Sequence, residues 1–163
     1  MTLTRRTPLR RKSLKKRAYK TPRCTKRGCG RPAEAVGLCK SHALAECKRR
    51  WSERIREAGR CELAGVDGVA CGGPLQGAHG LPKGAYPSVQ FELLNGWCIC
   101  AGHHRYYTDR PLEWTDILLA RWGAEGYQRM REKALAKGHS RDYAAILDSL
   151  QGSASRVQDE GTG

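Results

Sequence analysis

The clearest periodicity in the chain runs from Ser41 to Glu57, where Leu44, Cys47, Trp51 and Ile55 recur every three or four residues. Such spacing lines one face of an α-helix with apolar side chains, and the stripe reads as packing. Lys48, Arg49, Arg50, Arg54 and Arg56 occupy the other face, and Gly59 is placed to end the helix. Beyond Cys71 the pattern changes. A short strand is expected to end at His79, and Gly80-Leu-Pro-Lys-Gly-Ala-Tyr-Pro87 reads as a loop. Phe91 to Asn95 leads to a second short strand at Gly96 to Ile99, and a short helix starting near Ala101 carries His104. Glu113 to Lys137 reads as one amphipathic helix or two, broken near Gly123 and Gly126, with Trp114, Leu118 and Trp122 packed inward. Arg141 to Leu150 forms a last helix, and Gln151 to Gly163 is a polar tail without packing residues.

These elements offer little apolar material. The 163 residues include one Phe, and the mean hydropathy is −0.65. A small domain with so modest a core needs metals or disulfides to hold it. There are eight cysteines, no N-terminal apolar run of the signal-peptide kind, and no segment of membrane-spanning length. A reducing intracellular setting is therefore expected, with the cysteines as zinc ligands rather than disulfides.

Charge narrows the partner. The net charge is +14 and the pI about 9.8, a balance that favours a polyanion such as nucleic acid over a membrane. Residues 1–23 concentrate it, with Arg5, Arg6, Arg10, Arg11, Lys12, Lys15 and Lys16 and no acid. Pro8, Pro22 and several Thr and Ser interrupt any helical period. This reads as a disordered basic arm that lies along DNA phosphates by releasing counterions, without reading sequence.

Two cysteine clusters have metal-ligand spacing. In residues 24–47, Cys24-x4-Cys29 is followed after nine residues by Cys39-x2-His42, two close pairs suited to a tetrahedral structural zinc. All four positions are then filled by protein, which leaves no open position for catalysis. Cys47 is spare: an alternative to His42, or a buried apolar side chain. Residues 48–60 are expected to be a linker helix. In the second cluster Cys61 and Cys71, nine residues apart in gap, join Cys100-x2-His103. Cys98 rivals Cys100, but the two-residue gap to His103 makes the tighter chelating turn.

Between these pairs lies the most specific motif. His79 precedes Asn95 by sixteen residues, and Asn95 precedes His104 by nine, within Asn95-Gly-Trp-Cys-Ile-Cys-Ala-Gly-His-His104. This arrangement resembles the HNH family of metal-dependent nucleases. The resemblance covers residues 61–127 most specifically. The helical tail from Thr108 to Tyr127 resembles that of many phage-encoded HNH proteins, and the basic start resembles the arms of phage recombination-associated members of the NinG and Ref type. It implies a small α+β fold with a ββα-metal core and structural zinc, preceded by a zinc knuckle and followed by helices. Residues 61–138 would be the nuclease domain with its C-terminal helix, and 139–163 a short helix and flexible tail.

Phosphodiester hydrolysis needs an activated water, neutralised phosphate charge and help for the leaving oxygen. The resemblance implies His79 as general base, His104 as ligand to a divalent ion (Mg2+ or another), and Asn95 as ligand or loop organiser. Lys83 and Arg105 are then phosphate contacts or solvated charges. Ala78 departs from the family, many of whose members carry Asp or His there as a further ligand. Thr108 and Asp109 are nearby substitutes; Asp109 reads equally as a helix cap before Pro111. The implied setting is phage recombination, replication or packaging in the bacterial cytoplasm, with two structural zinc ions. The alternative is a zinc-containing nucleic-acid-binding protein without catalysis, which Ala78 favours.

Overall fold

Four helices and one two-stranded sheet build a small α+β fold in the computed structural model, which describes residues 21–136 and 141–151. Arg5, Arg6, Arg10, Arg11, Lys12, Lys15 and Lys16 of the basic arm lie outside the described residues, as do His139 and the tail beyond Gln151. Among the described residues no helix is long and apolar enough to cross a membrane.

Helix α1 spans Lys40–Arg56 and buries Ala43, Cys47, Trp51 and Ile55. Its polar face is less cationic than its residue list suggests. Arg49 pairs with Glu46 and Glu53, Arg50 with Glu46, and Arg54 with Glu57, all one helical turn apart. Glu46 is held down at about 2 by hydrogen bonds from Arg49 and Arg50. Exposed pairs of this kind add little stability, but they do occupy the guanidinium groups.

Strands β1 (Leu75–His79) and β2 (Gly96–Cys100) pair antiparallel, from Leu75 opposite Cys100 to His79 opposite Gly96. Helix α1 crosses this hairpin at very close range. A Cβ on Gly96 would fall inside the Ile55 side chain, and one on Gly77 would lie 3.2 Å from Trp51. Glycine at these two strand positions is thus what admits the helix. Residues 48–60, expected as a linker, carry Trp51 and Ile55 into the core beside Cys98 and Leu150.

Helix α2 (Ala101–Thr108) follows β2 without a loop, and α3 (Pro111–Leu135) covers the hairpin with aromatic side chains. Trp97 of β2 meets Trp114 and Trp122 at ring separations of 5.1 and 6.4 Å. The expected interruption of this helix falls at Gly123, whose φ of 66° and ψ of 167° leave helical space. Helix α4 (Tyr143–Ser149) is capped by Asp142, which accepts from the amides of Ala144 and Ala145. It returns to α1: Tyr143 and Leu147 pack with Cys24, Cys39, Ala43 and Cys47.

Candidate functional site

The hairpin register assembles the second cysteine cluster. Because Leu75 pairs with Cys100, the residues before β1 run beside those after β2. The amides of Ala101 and Gly102 donate to the carbonyls of Pro74 and Gly72 at 2.9 and 2.8 Å. Cys71 is thereby set against Cys100 and His103, and Cys61 arrives through the bond from the Glu62 amide to the Cys98 carbonyl, 2.8 Å. The donor atoms of Cys61, Cys71, Cys100 and His103 all lie within 4.8 Å of one another. His103 turns Nδ1 to the sulfurs, 3.1 Å from Cys100 and 3.4 Å from Cys61.

Its other ring nitrogen meets a carboxylate. His103 Nε2 lies 3.2 Å from Asp67 Oδ1, while the Tyr107 hydroxyl donates to Oδ2 at 2.6 Å and the Val69 amide to Oδ1 at 3.0 Å. Burial opposes ionisation of Asp67, yet these donors hold its carboxyl below the usual range. A carboxylate at the far nitrogen fixes the tautomer that aims Nδ1 at a metal. Burial likewise opposes ionisation of Cys100, but the amides of His103 and Gly72 bring its thiol down to about 6. Three sulfurs and an imidazole at this spacing fit zinc.

The first cluster gathers Cys24, Cys29, Cys39 and His42, again with all donor atoms within 4.8 Å. His42 Nδ1 lies 3.2 Å from Cys24 and 3.5 Å from Cys39. Cys39 precedes α1, and hydrogen bonds from Ser41 and from the His42 amide lower its thiol to about 6. Two Cys3His groups can therefore hold two structural zinc ions. Cys47 and Cys98 stand outside both groups. Each is fully buried, Cys47 beside the Tyr143 carbonyl and Cys98 against Trp51 and Ile55.

The opposite end of the hairpin holds His79 and Asn95, whereas His104 lies on the helix that starts at the cysteine end. Asn95 is fully buried, and its amide bridges the loop between the strands. Oδ1 accepts from the Leu81 amide at 2.7 Å, and Nδ2 donates to the carbonyls of Leu81 and Val89, both at 3.1 Å. Both amide hydrogens and the oxygen are thus engaged by backbone, the arrangement of a loop organiser rather than a ligand. The loop so held returns the Gln90 carbonyl to His79 Nε2, 3.0 Å away. A carbonyl only accepts, so Nε2 carries the hydrogen and Nδ1 of the neutral ring keeps its lone pair. Trp51 stacks on the same imidazole at 4.1 Å and 11°. Burial pushes the His79 pKa down against the Gln90 carbonyl, whose hydrogen bond raises it, and the Lys83 and His104 charges add to the lowering.

His104 lies one residue past His103 and points its Nδ1 to Gln76 Oε1 of β1, 2.6 Å away. Its pKa is also lowered, by burial and then by Lys83. His79, His104 and Lys83 therefore share one electrostatic neighbourhood. Arg105 is exposed on the adjoining turn. Ala78 is buried in the core with Leu81, Trp97 and Ile99, so it stands where packing, not ligation, is satisfied. Thr108 donates to the His104 carbonyl at 2.7 Å. Asp109 is exposed and caps the C-terminal end of α2, whereas Arg110 occupies the N-cap of α3. Among the described residues neither His104 nor Asp109 belongs to a third cluster of metal-binding side chains.

Asp67, Gln76 and the Gln90 carbonyl are contacts that motif reading missed. Asp67 precedes Gly68 and looks like an ordinary turn residue, Gln76 is a lone polar residue in a strand, and a backbone carbonyl leaves no trace in residue identity. No family model, curated protein or solved structure matches the chain.

Proposed function

We propose that the protein is a zinc-stabilised nuclease of the ββα-metal type, which hydrolyses DNA phosphodiester bonds with His79 as general base. The observation that carries this reading is the His79 imidazole, pinned at Nε2 by the Gln90 carbonyl with Nδ1 left as a proton acceptor. Its lowered pKa keeps the ring neutral at physiological pH, the state a general base requires. His79 would take a proton from water at Nδ1, and Lys83 would draw the phosphate toward that nitrogen. Asn95 would keep the loop, and through it the Gln90 carbonyl, in place.

The donor set at His104 bears on the cofactor. With Nδ1 engaged by Gln76, Nε2 is the nitrogen left to bind a cation. A divalent ion there would neutralise phosphate charge and stabilise the leaving oxygen. A lone imidazole suits Ni2+ or Zn2+ better than Mg2+, which prefers oxygen ligands. On this reading the +14 charge and the arm of residues 1–23 hold DNA, and the sequence resemblance alone suggests recombination, replication or packaging as the setting.

Buried Ala78 favours a second reading, a zinc-containing nucleic-acid binder without catalysis, because it withholds the second ligand found in many HNH proteins. A supercoiled-plasmid assay with Mg2+, Mn2+ and Ni2+ separates the two. Nicking by the wild type, with a loss of about 10²–10⁴-fold in His79→Ala, is the expected result. Equal and negligible nicking by both proteins with every metal would leave the binding reading in possession.

A further inference from the structure

We infer that Gln76 is a positioning residue whose amide oxygen locks the His104 imidazole in its Nδ1–H tautomer and so presents an unprotonated Nε2 to a divalent cation. The purpose of this contact rests on the nuclease reading, but its geometry does not.

The contact is short, 2.6 Å between His104 Nδ1 and Gln76 Oε1, and it joins two rigid elements. Gln76 sits inside β1, opposite Ile99 in the sheet, and His104 sits in the first turn of the helix that follows β2 directly. Neither backbone can drift without disturbing the hairpin. A neutral imidazole has a single N–H, so donating it from Nδ1 to an amide oxygen leaves the lone pair on Nε2. Thr108 donates to the His104 carbonyl, and Arg105 and Thr108 are exposed, so among the described residues the Gln76 contact is the hydrogen bond that orients the ring.

The neighbouring histidine is held the other way round. His79 gives its N–H from Nε2 to the Gln90 carbonyl and keeps its lone pair on Nδ1. Two neutral rings in one electrostatic neighbourhood thus carry opposite tautomers, one suited to accept a proton and one to bind a metal. A histidine that ligates a metal commonly gives its other N–H to a carboxylate or carbonyl. At His103 that partner is the carboxylate of Asp67; at His104 it is the neutral amide of Gln76. A neutral acceptor raises ligand basicity less than a carboxylate does.

The test uses the full-length, zinc-loaded chain and reads imidazole nitrogens by 15N NMR before any activity is measured. The wild type should show His104 as Nδ1–H and His79 as Nε2–H. Gln76→Leu should lose the His104 preference and leave His79 unchanged. Gln76→Glu can only accept at this position, so it should retain the Nδ1–H form. Titration with Ni2+ supplies the second readout: Gln76→Leu should weaken binding by about 10–100-fold, and Gln76→Glu should bind at least as tightly as the wild type. In plasmid nicking, the same factor should appear in the Ni2+ concentration at half-maximal rate, with the rate at saturating metal little changed. A wild-type His104 in the Nε2–H form, or Ni2+ affinity unaltered by Gln76→Leu, overturns the assignment. If tautomers and Ni2+ affinities behave as stated while the wild type nicks no DNA with any metal, the assignment stands and the hydrolytic reading falls.

Discussion

At the scale of single residues, the decisive contacts are those that choose a histidine tautomer. His79, His103 and His104 look alike in composition, yet a backbone carbonyl, a carboxylate and an amide oxygen engage their ring nitrogens differently. Burial lowers the His79 pKa below the ordinary 6.5. If His79 is the proposed base, whose neutral ring is the active form, nicking should persist at pH values under 6.5 and decline only as pH falls through the lower folded value. A pH–rate profile with its acidic midpoint above 6.5 would count against His79 as the base. The same depression makes the fold lose stability as pH drops from 6.5 toward that value, because the unfolded chain takes up the proton first. For Asp67, replacement by Asn removes the charge behind His103 without changing the shape. Zinc affinity at the second cluster should fall about 10–100-fold, measured by competition with a chromogenic chelator. The two Cys3His groups could be read from the sequence because each contains a Cys-x2-His pair, whose short gap favours a chelating turn. Asp67 and Gln76 could not, since each meets its histidine across 36 and 28 residues of chain.

At the scale of elements, α1 on the hairpin sets the geometry of the site. Trp51 stacks on His79 and also donates from Nε1 to the Glu92 carbonyl at 3.2 Å, so one side chain fixes both the imidazole and its loop. That contact depends on helix and strands meeting closely at Gly77 and Gly96. A methyl at Gly96 has no room against Ile55 and Trp51. Gly96→Ala should cost about 2 kcal/mol by overpacking, read from urea unfolding. A substitution that leaves stability unchanged would mean that α1 can lift off the sheet freely. The helical period of α1 and the short strands were legible because apolar spacing reports local structure. The face that meets the sheet was only partly legible: Ala43, absent from the apolar stripe read in sequence, is fully buried, and Leu44 is only partly so.

At the scale of the molecule, two Cys3His groups stand at either end of a thin core. The first lies under α1 and α4, and the second closes the open end of the hairpin. With little apolar surface to bury, the fold should depend on the metals. Elemental analysis of purified protein should give two zinc ions per chain, and His42→Ala should reduce this to one. Removal of both ions by a strong chelator should abolish the cooperative thermal transition. A metal content near zero in a protein that still melts cooperatively would remove zinc from the account.

What the sequence by itself determined was local: which cysteines and histidines lie close enough to chelate, where helical and strand periods run, and where glycine and proline end them. These properties follow from spacing over a few residues, which no distant partner alters. Tertiary structure alone decided the rest. It brought α4 back onto the first cysteine cluster, placed Asp67 behind His103 and Gln76 behind His104, and engaged Asn95 with the loop. Each of these contacts joins segments far apart in the chain, and it exists only once the hairpin register and the packing of α1 have brought them together.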